Sequence, residues 1–347
     1  MKIRKVTALI LAAGLFFSGC GAQSASQSAT EKEKEAVETA ENVTEEDVEN
    51  AIVETNTIVE DTTDIQDEAV ALATSSGALS TVLTPVAAGI DVKENDDMII
   101  DYSNIAKGYV MVKYKESTDK KLKAQVKGPS GVTYTYNLKA KNWEAFPLSD
   151  GNGSYKVTVY KNVSGTSYVT VGSIDFKVTL DDEMLPFLTA SQYVNFDESS
   201  KCVKKAATLC KKTTSTKTKV KKVYKWTLGH FSYDYKKAKS VQSGYLPDLD
   251  KVYSAKKGIC FDYASTMVAM LRSQGVPTKL VIGYAGDAYH AWINVYSKKD
   301  GWITGAIYFD GKSWNLMDPT FADTGKSSKA IMKYISNGKN YSAKYIY

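Results

Sequence analysis

Near residue 182 the spacing of apolar residues changes from every second position to every third and fourth, and this switch constrains the fold more than any bulk property of the chain. Before it, Gly108-Tyr-Val-Met-Val-Lys-Tyr114, Leu122-Lys-Ala-Gln-Val126, Val132-Thr-Tyr-Thr-Tyr136, Ser154-Tyr-Lys-Val-Thr-Val-Tyr160 and a run over 167–176 alternate with period two, divided by Gly-Pro-Ser-Gly and Asp-Gly-Asn-Gly. Short alternating runs between turn residues predict an antiparallel β-sandwich over 81–182. Asp150-Gly-Asn-Gly-Ser154 opens like a calcium loop but lacks the later acids and the bidentate glutamate, so it reads as a hairpin turn. After the switch, 199–211 and 216–228 carry apolar residues at helical spacing (Val203, Ala206, Cys210; Val220, Val223, Tyr224) with lysines on the outer faces. Cys202 and Cys210 stand about 12 Å apart along such a helix, too far for a disulfide, and read as small buried hydrophobes.

The N-terminal residues have a different character. Lys2-Ile-Arg4-Lys5 is followed by twelve apolar residues over 6–17 and then Gly19-Cys20-Gly21. Twelve residues span about 18 Å as a helix, short of a bilayer's ~30 Å core, so 1–20 reads as an export signal. Its end resembles the bacterial lipoprotein box, with Phe17 where leucine is usual, and implies acylation of Cys20. Residues 21–80 contain fifteen acids against Lys32 and Lys34 and no Phe, Trp or Tyr. Such a segment buries too little to offset its ordering entropy and reads as a disordered acidic tether. Since the whole chain carries +5, the remaining 81–347 carry +15. That body is drawn to polyanions, here an anionic cell-wall polymer or membrane surface and not nucleic acid.

Chemistry concentrates in Lys256-Lys-Gly-Ile-Cys260-Phe-Asp-Tyr. Ala264, Met267, Val268 and Leu271 then fall on one helical face, Gly275 is placed as a C-terminal cap and Pro277 forbids continuation. Cys260 therefore opens a helix, where unpaired amides and the positive dipole end favour the nucleophilic thiolate. The chain has two histidines, so imidazole chemistry belongs to His230 or His290. His290 begins a short β run, and Asp318 ends a later one beyond a hairpin around Asp310-Gly311. A helix followed by an antiparallel meander can bring Cys260, His290 and Asp318 together as nucleophile, base and orienting carboxylate.

Gly258-Ile-Cys260, Leu271-Arg-Ser-Gln-Gly275-Val-Pro277, Tyr289-His290-Ala-Trp292 and Asp318-Pro-Thr320, in that order, resemble the transglutaminase-like superfamily, whose papain-related core carries a Cys-His-Asp triad. The resemblance covers roughly 185–347 and maps the triad onto Cys260, His290 and Asp318. Asn294 stands where an acidic residue is usual. It also implies an aromatic oxyanion donor upstream of the cysteine, for which Tyr245 and Tyr253 both qualify, with the Cys260 amide as a second donor. His230 reads as structural, and Trp292 and Trp314 as packing around the triad.

The expected fold class is α+β: a transglutaminase-like (papain-like) C-terminal domain over 183–347, preceded by a small β-sandwich (Ig-like) domain over 81–182, the tether over 21–80 and the lipoprotein signal over 1–20. The expected function is a surface-anchored thiol enzyme that cleaves or transfers at an amide of a peptide or protein, without metal or cofactor. The competing expectation is a non-catalytic adhesin or wall-binding module that uses the sandwich and the basic surface.

Overall fold

The computed structural model describes residues 82–286, 288–304, 306–309, 314–316 and 340–347. The signal, Cys20 and the tether lie outside the described residues, as does Asp318.

The period-two region forms two four-stranded sheets. The strands are β1 (Val92–Glu94), β2 (Met98–Asp101), β3 (Tyr109–Tyr114), β4 (Leu122–Lys127), β5 (Thr133–Leu138), β6 (Trp143–Pro147), β7 (Gly153–Ser164) and β8 (Ser167–Val178). One sheet has the order β1-β2-β3-β6 and the other β5-β4-β7-β8, and every pairing is antiparallel. Ile100, Val110, Val112 and Tyr114 of the first sheet share a core with Ala124, Val126, Tyr136, Val157 and Val159 of the second, as alternation dictates. Asp150 spends its carboxylate on the Tyr134 hydroxyl at 3.0 Å and on Ser130, which fixes the turn before β7.

Beyond residue 182 the chain is mixed helix and strand. Helices α1 (Lys201–Cys210) and α2 (Thr216–His230) precede a two-residue strand β9 (Ser232–Tyr233), then α3 (Tyr235–Ser240), α4 (Leu249–Ala255), β10 (Lys257–Gly258) and α5 (Cys260–Arg272). Strands β11 (Thr278–Ala285), β12 (Ala288–Ser297), β13 (Gly301–Ile303), β14 (Ala306–Phe309), β15 (Trp314–Leu316) and β16 (Tyr341–Ile346) follow. A second antiparallel sheet system has the order β13-β12-β11-β16, and β14 pairs with β15. Cys202 and Cys210 are buried free thiols, and burial pushes the Cys202 thiol up to about 12.

α5 is the central element: every residue from Asp262 to Arg272 is buried. Its apolar residues share one continuous core with α1, α2, β11, β12 and the sandwich. An aromatic chain crosses between the two regions, with Tyr136 5.3 Å from Tyr193 and Tyr193 5.5 Å from Phe261, the residue after Cys260.

Candidate active site

Two devices place Cys260 at the head of α5. β10 pairs in parallel with β9 through Gly258 and Tyr233, and the Asp234 N–H donates to the Gly258 carbonyl at 2.8 Å. A side chain at Gly258 would meet the Asp262 Cβ at 2.6 Å, so glycine is required here for space. Asp262 then reaches back one turn and accepts the Ile259 N–H at 2.8 Å, satisfying one of the amides that a helix start leaves open.

That carboxylate is fully buried and carries two further partners. Lys237 from α3 lies 2.6 Å from its Oδ2, and the Tyr245 hydroxyl donates to Oδ1 at 2.6 Å. Lys237 also donates to the Tyr245 oxygen at 2.5 Å. Desolvation first, then the hydrogen bond to Asp262, holds the Tyr245 phenol far above its usual range. A charge-paired network therefore sits directly behind Cys260, built from residues 237, 245 and 262. The sequence names Tyr245 only as a candidate oxyanion donor, and Lys237 and Asp262 look too ordinary there to be singled out by pattern.

Cys260 is half-buried, unlike Cys202 and Cys210. α5 packs on β11 and β12. Along β12, Ala291, Ile293 and Val295 join the core to which α5 belongs, and the alternate residues His290, Trp292 and Asn294 form the strand's other, also buried, face. The described ring contacts of His290 are Trp292, stacked at 6.3 Å, and Tyr341 at 6.5 Å. His290 stands opposite Gly283 on β11. There β16 approaches so closely that a Cβ would strike the Ser342 carbonyl and come within 3.0 Å of the Ala343 Cα.

Tyr289, the neighbour of His290, opens the His290 motif, but sequence reasoning gave it no role of its own. It is 50% exposed, stacks edge-on with Tyr284 at 5.5 Å, and has its phenol pushed up to about 12, by burial first and then by Tyr345, Tyr193, Tyr284 and Cys260. Of the two tyrosines considered as oxyanion donors, Tyr245 gives its proton to Asp262. The Tyr253 ring stacks on Trp226 at 5.5 Å and packs on His230 at 4.9 Å. His230 itself stacks on Trp226 at 4.3 Å, with Nε2 3.2 Å from the Tyr253 carbonyl, a packing role. Among the described residues no cluster of His, Cys, Asp or Glu is arranged to hold a metal ion.

Sequence comparison identifies one stretch of this chain: residues 204–305 match the model of the Transglutaminase-like superfamily, so that stretch is a transglutaminase-like domain. Among curated proteins the chain is similar to the uncharacterized protein YebA of Bacillus subtilis, 31% identical over 71 residues, covering 15% of this chain and 10% of that protein. It is also similar to a protein-glutamine gamma-glutamyltransferase of Pseudomonas aeruginosa, 30% identical over 70 residues, covering 16% of this chain and 10% of that protein. The chain thus spans about a tenth of the length of either curated relative. Among solved structures, the periplasmic domain of TgpA from Pseudomonas aeruginosa bound to ethylmercury aligns with a TM-score of 0.31 and 14% identity, over 70% of this chain and 79% of that one. Red sea bream transglutaminase aligns with a TM-score of 0.28 and 12% identity, over 66% and 53%. The domain assignment rests on the family match.

Proposed function

We propose that the chain is a thiol enzyme of acyl transfer at amides of peptides or proteins. Cys260 is the nucleophile, His290 the base and Asp318 the carboxylate that orients the imidazole. The Cys260 sulfur attacks the carbonyl carbon, and the amides at the start of α5 receive the developing oxyanion. His290 takes the thiol proton and returns it to the leaving amine, and a thioester remains. Water then releases the acid, or a second amine takes the acyl group. The transferase name carried by one relative gives the amine route its support. Lipid on Cys20 would hold this chemistry at the outer surface of a membrane, with wall or surface peptides as substrates and an anionic polymer as partner.

The observation that carries the reading is a half-exposed cysteine at the head of a helix otherwise buried from its third residue onward. The reading brings the His290 imidazole to the sulfur in the substrate complex, where catalytic contacts generally tighten relative to the free enzyme. The test incubates the chain with a peptide-amide library and a labelled amine, and reads hydrolysis and amine incorporation by mass. Cys260→Ala is expected to abolish both, His290→Gln to reduce them sharply and His230→Gln to retain them. Equal activity in the two histidine variants overturns the assignment of the base.

A further inference from the structure

The positive charge of the body is densest in one stretch. Residues 82–182 are nearly balanced, with thirteen lysines and twelve acids, whereas 199–233 hold ten lysines and no acid. That stretch is α1, α2 and the turn between them. α1 turns Cys202, Val203, Ala206 and Cys210 inward and α2 turns Val220, Val223 and Tyr224 inward, which leaves the lysines for the outer surface. Lys219 is the exception: buried, it donates to the Gln274 carbonyl at 2.8 Å. Lys201 reaches Ser254 at 2.6 Å, and Lys205 lies over the Trp226 ring at 6.0 Å. Among the described residues no ion pair neutralises Lys204, Lys212, Lys222 or Lys225. The face repels itself, since Lys225 helps burial to push the Lys221 ammonium down.

The complementary charge is in the same chain. Residues 31–68 hold fifteen acids and two lysines. The place where this segment joins the fold is also fixed. Leu83 bridges to Thr189, and its carbonyl accepts the Ala190 N–H at 2.9 Å. The Thr189 carbonyl accepts Arg272 at 2.6 Å, and two residues beyond Arg272 the Gln274 carbonyl holds Lys219 of α2. With extended side chains these links add to no more than about 30 Å, whereas the fourteen residues from 68 to 82 can span about 45 Å. The acids therefore reach the lysine face without strain, and a tethered ligand acts at an effective concentration of roughly millimolar.

We propose that the acidic segment 31–68 docks on the lysine face of α1 and α2 as its internal anionic ligand. The contact is a many-against-many charge contact with no pocket, so it holds at low salt and yields to a stronger external polyanion. The face is then shielded until the protein meets an anionic surface. This goes beyond the acyl-transfer reading and does not depend on it.

Zero-length carbodiimide coupling, which joins carboxylates to lysine amines, tests the contact on the full chain in detergent, with peptide mapping by mass. Couplings from 31–68 are expected to concentrate on lysines 204–225. Their yield should fall about fivefold or more between about 20 mM and about 500 mM salt, as the screening length drops from ~20 Å to ~4 Å. The quadruple variant Lys204→Glu, Lys212→Glu, Lys222→Glu, Lys225→Glu changes outward-facing side chains only. It should lose these couplings while keeping the wild-type melting profile, and reversing four acids of 31–68 to lysine in that background should restore coupling. Couplings spread evenly over all lysines of the body overturn the proposal, as does a yield insensitive to salt. So does a yield that rises with protein concentration, which would assign the face to the segment of a second copy.

Discussion

Asp262 is the residue whose removal most directly tests how the head of α5 is held. Its carboxylate is 0% exposed and takes three donors: Lys237 at 2.6 Å, Tyr245 at 2.6 Å and the Ile259 N–H at 2.8 Å. Unit charges 2.6 Å apart attract by about 6 kcal/mol at an effective dielectric of ~20, and desolvation of both ions offsets most of that. Removing one partner of such a pair costs about 3–5 kcal/mol, because the other charge stays behind unpaired. The Lys237 side chain retains 26% exposure, so the low end applies. Loss of the Ile259 cap adds about 1 kcal/mol, and the orphaned Tyr245 hydroxyl about 1 kcal/mol. Asp262→Ala should therefore cost about 5 kcal/mol, a large share of a domain stability of about 5–15 kcal/mol. Lys237→Met strands the fully buried carboxylate with only two neutral donors and should cost about 3 kcal/mol or more. The double variant strands no charge and should cost about 4 kcal/mol, a coupling of about 4 kcal/mol. Urea unfolding followed by near-ultraviolet circular dichroism measures all four species. Additive costs, or an Asp262→Ala variant within about 1 kcal/mol of wild type, would show that the network does not hold the helix start.

Four further outcomes are expected. Burial raises the Cys202 thiol to about 12 and Cys210 above its usual range, so at pH 8 a thiol reagent should label Cys260 in the folded chain and spare those two, as peptide mass mapping would show. Because the folded value of Cys202 lies above the ordinary 9.0, its contribution to stability is complete below pH 9 and fades toward pH 12, visible as a falling urea midpoint. Burial lowers His230, so its contribution is present above pH 6.5 and lost as pH falls through the depressed folded value; His230→Gln should flatten that acid-side decline in urea midpoint. Gly283→Ala places a methyl group against the β16 backbone, which has no side-chain freedom with which to yield, and should cost about 2 kcal/mol and speed hydrogen exchange over 341–346.

The parts of the fold that were legible in the sequence are those whose signal is local. The alternating runs beginning at 108, 122, 132, 154 and 167 form β3, β4, β5, β7 and β8. The helical spacing of 199–211 and 216–228 gives α1 and α2, and Gly275 takes the left-handed conformation expected of a cap, with φ of 73°. β6 was not legible, because Ala145, Phe146 and Pro147 are buried in succession and show no alternation. α3 and α4 have six and seven residues, too few for a helical period to declare itself, and are marked instead by the caps Asp234 and Asp248. For the site, the place of Cys260 at a helix start was legible because the helical spacing of 264–271 that follows it is a local signal. The Asp262 network was not, since its geometry depends on three separate elements meeting. Asp318 and Cys20 lie outside the described residues.

The far end of α5 is held by a different chemistry, and the comparison shows what positions Cys260. Arg272 is fully buried with no Asp or Glu side chain among its described partners. Its guanidinium donates to the main-chain oxygens of Thr189 at 2.6 Å, Thr278 at 2.9 Å and Tyr347 at 2.9 Å. Three charge-assisted bonds at roughly 1.5–3 kcal/mol each stand against a burial cost of several kcal/mol for the cation, so the net stabilisation is small. What remains is geometric. One side chain fixes the connection from the sandwich, the start of β11 and the residue after β16 at a single point. Gln274, two residues on, ties α2 to the same turn through Lys219. A methionine at 272 would keep the volume and relieve the buried charge, yet it would release three main-chain oxygens from three different segments. Its expected signature is therefore faster hydrogen exchange at 189–190, 278–280 and 341–347 with little loss of global stability. Since Asp262 holds one end of α5 and Arg272 the other, Cys260 is located by two independent anchors, and loosening the far one should leave the Ile259 cap intact.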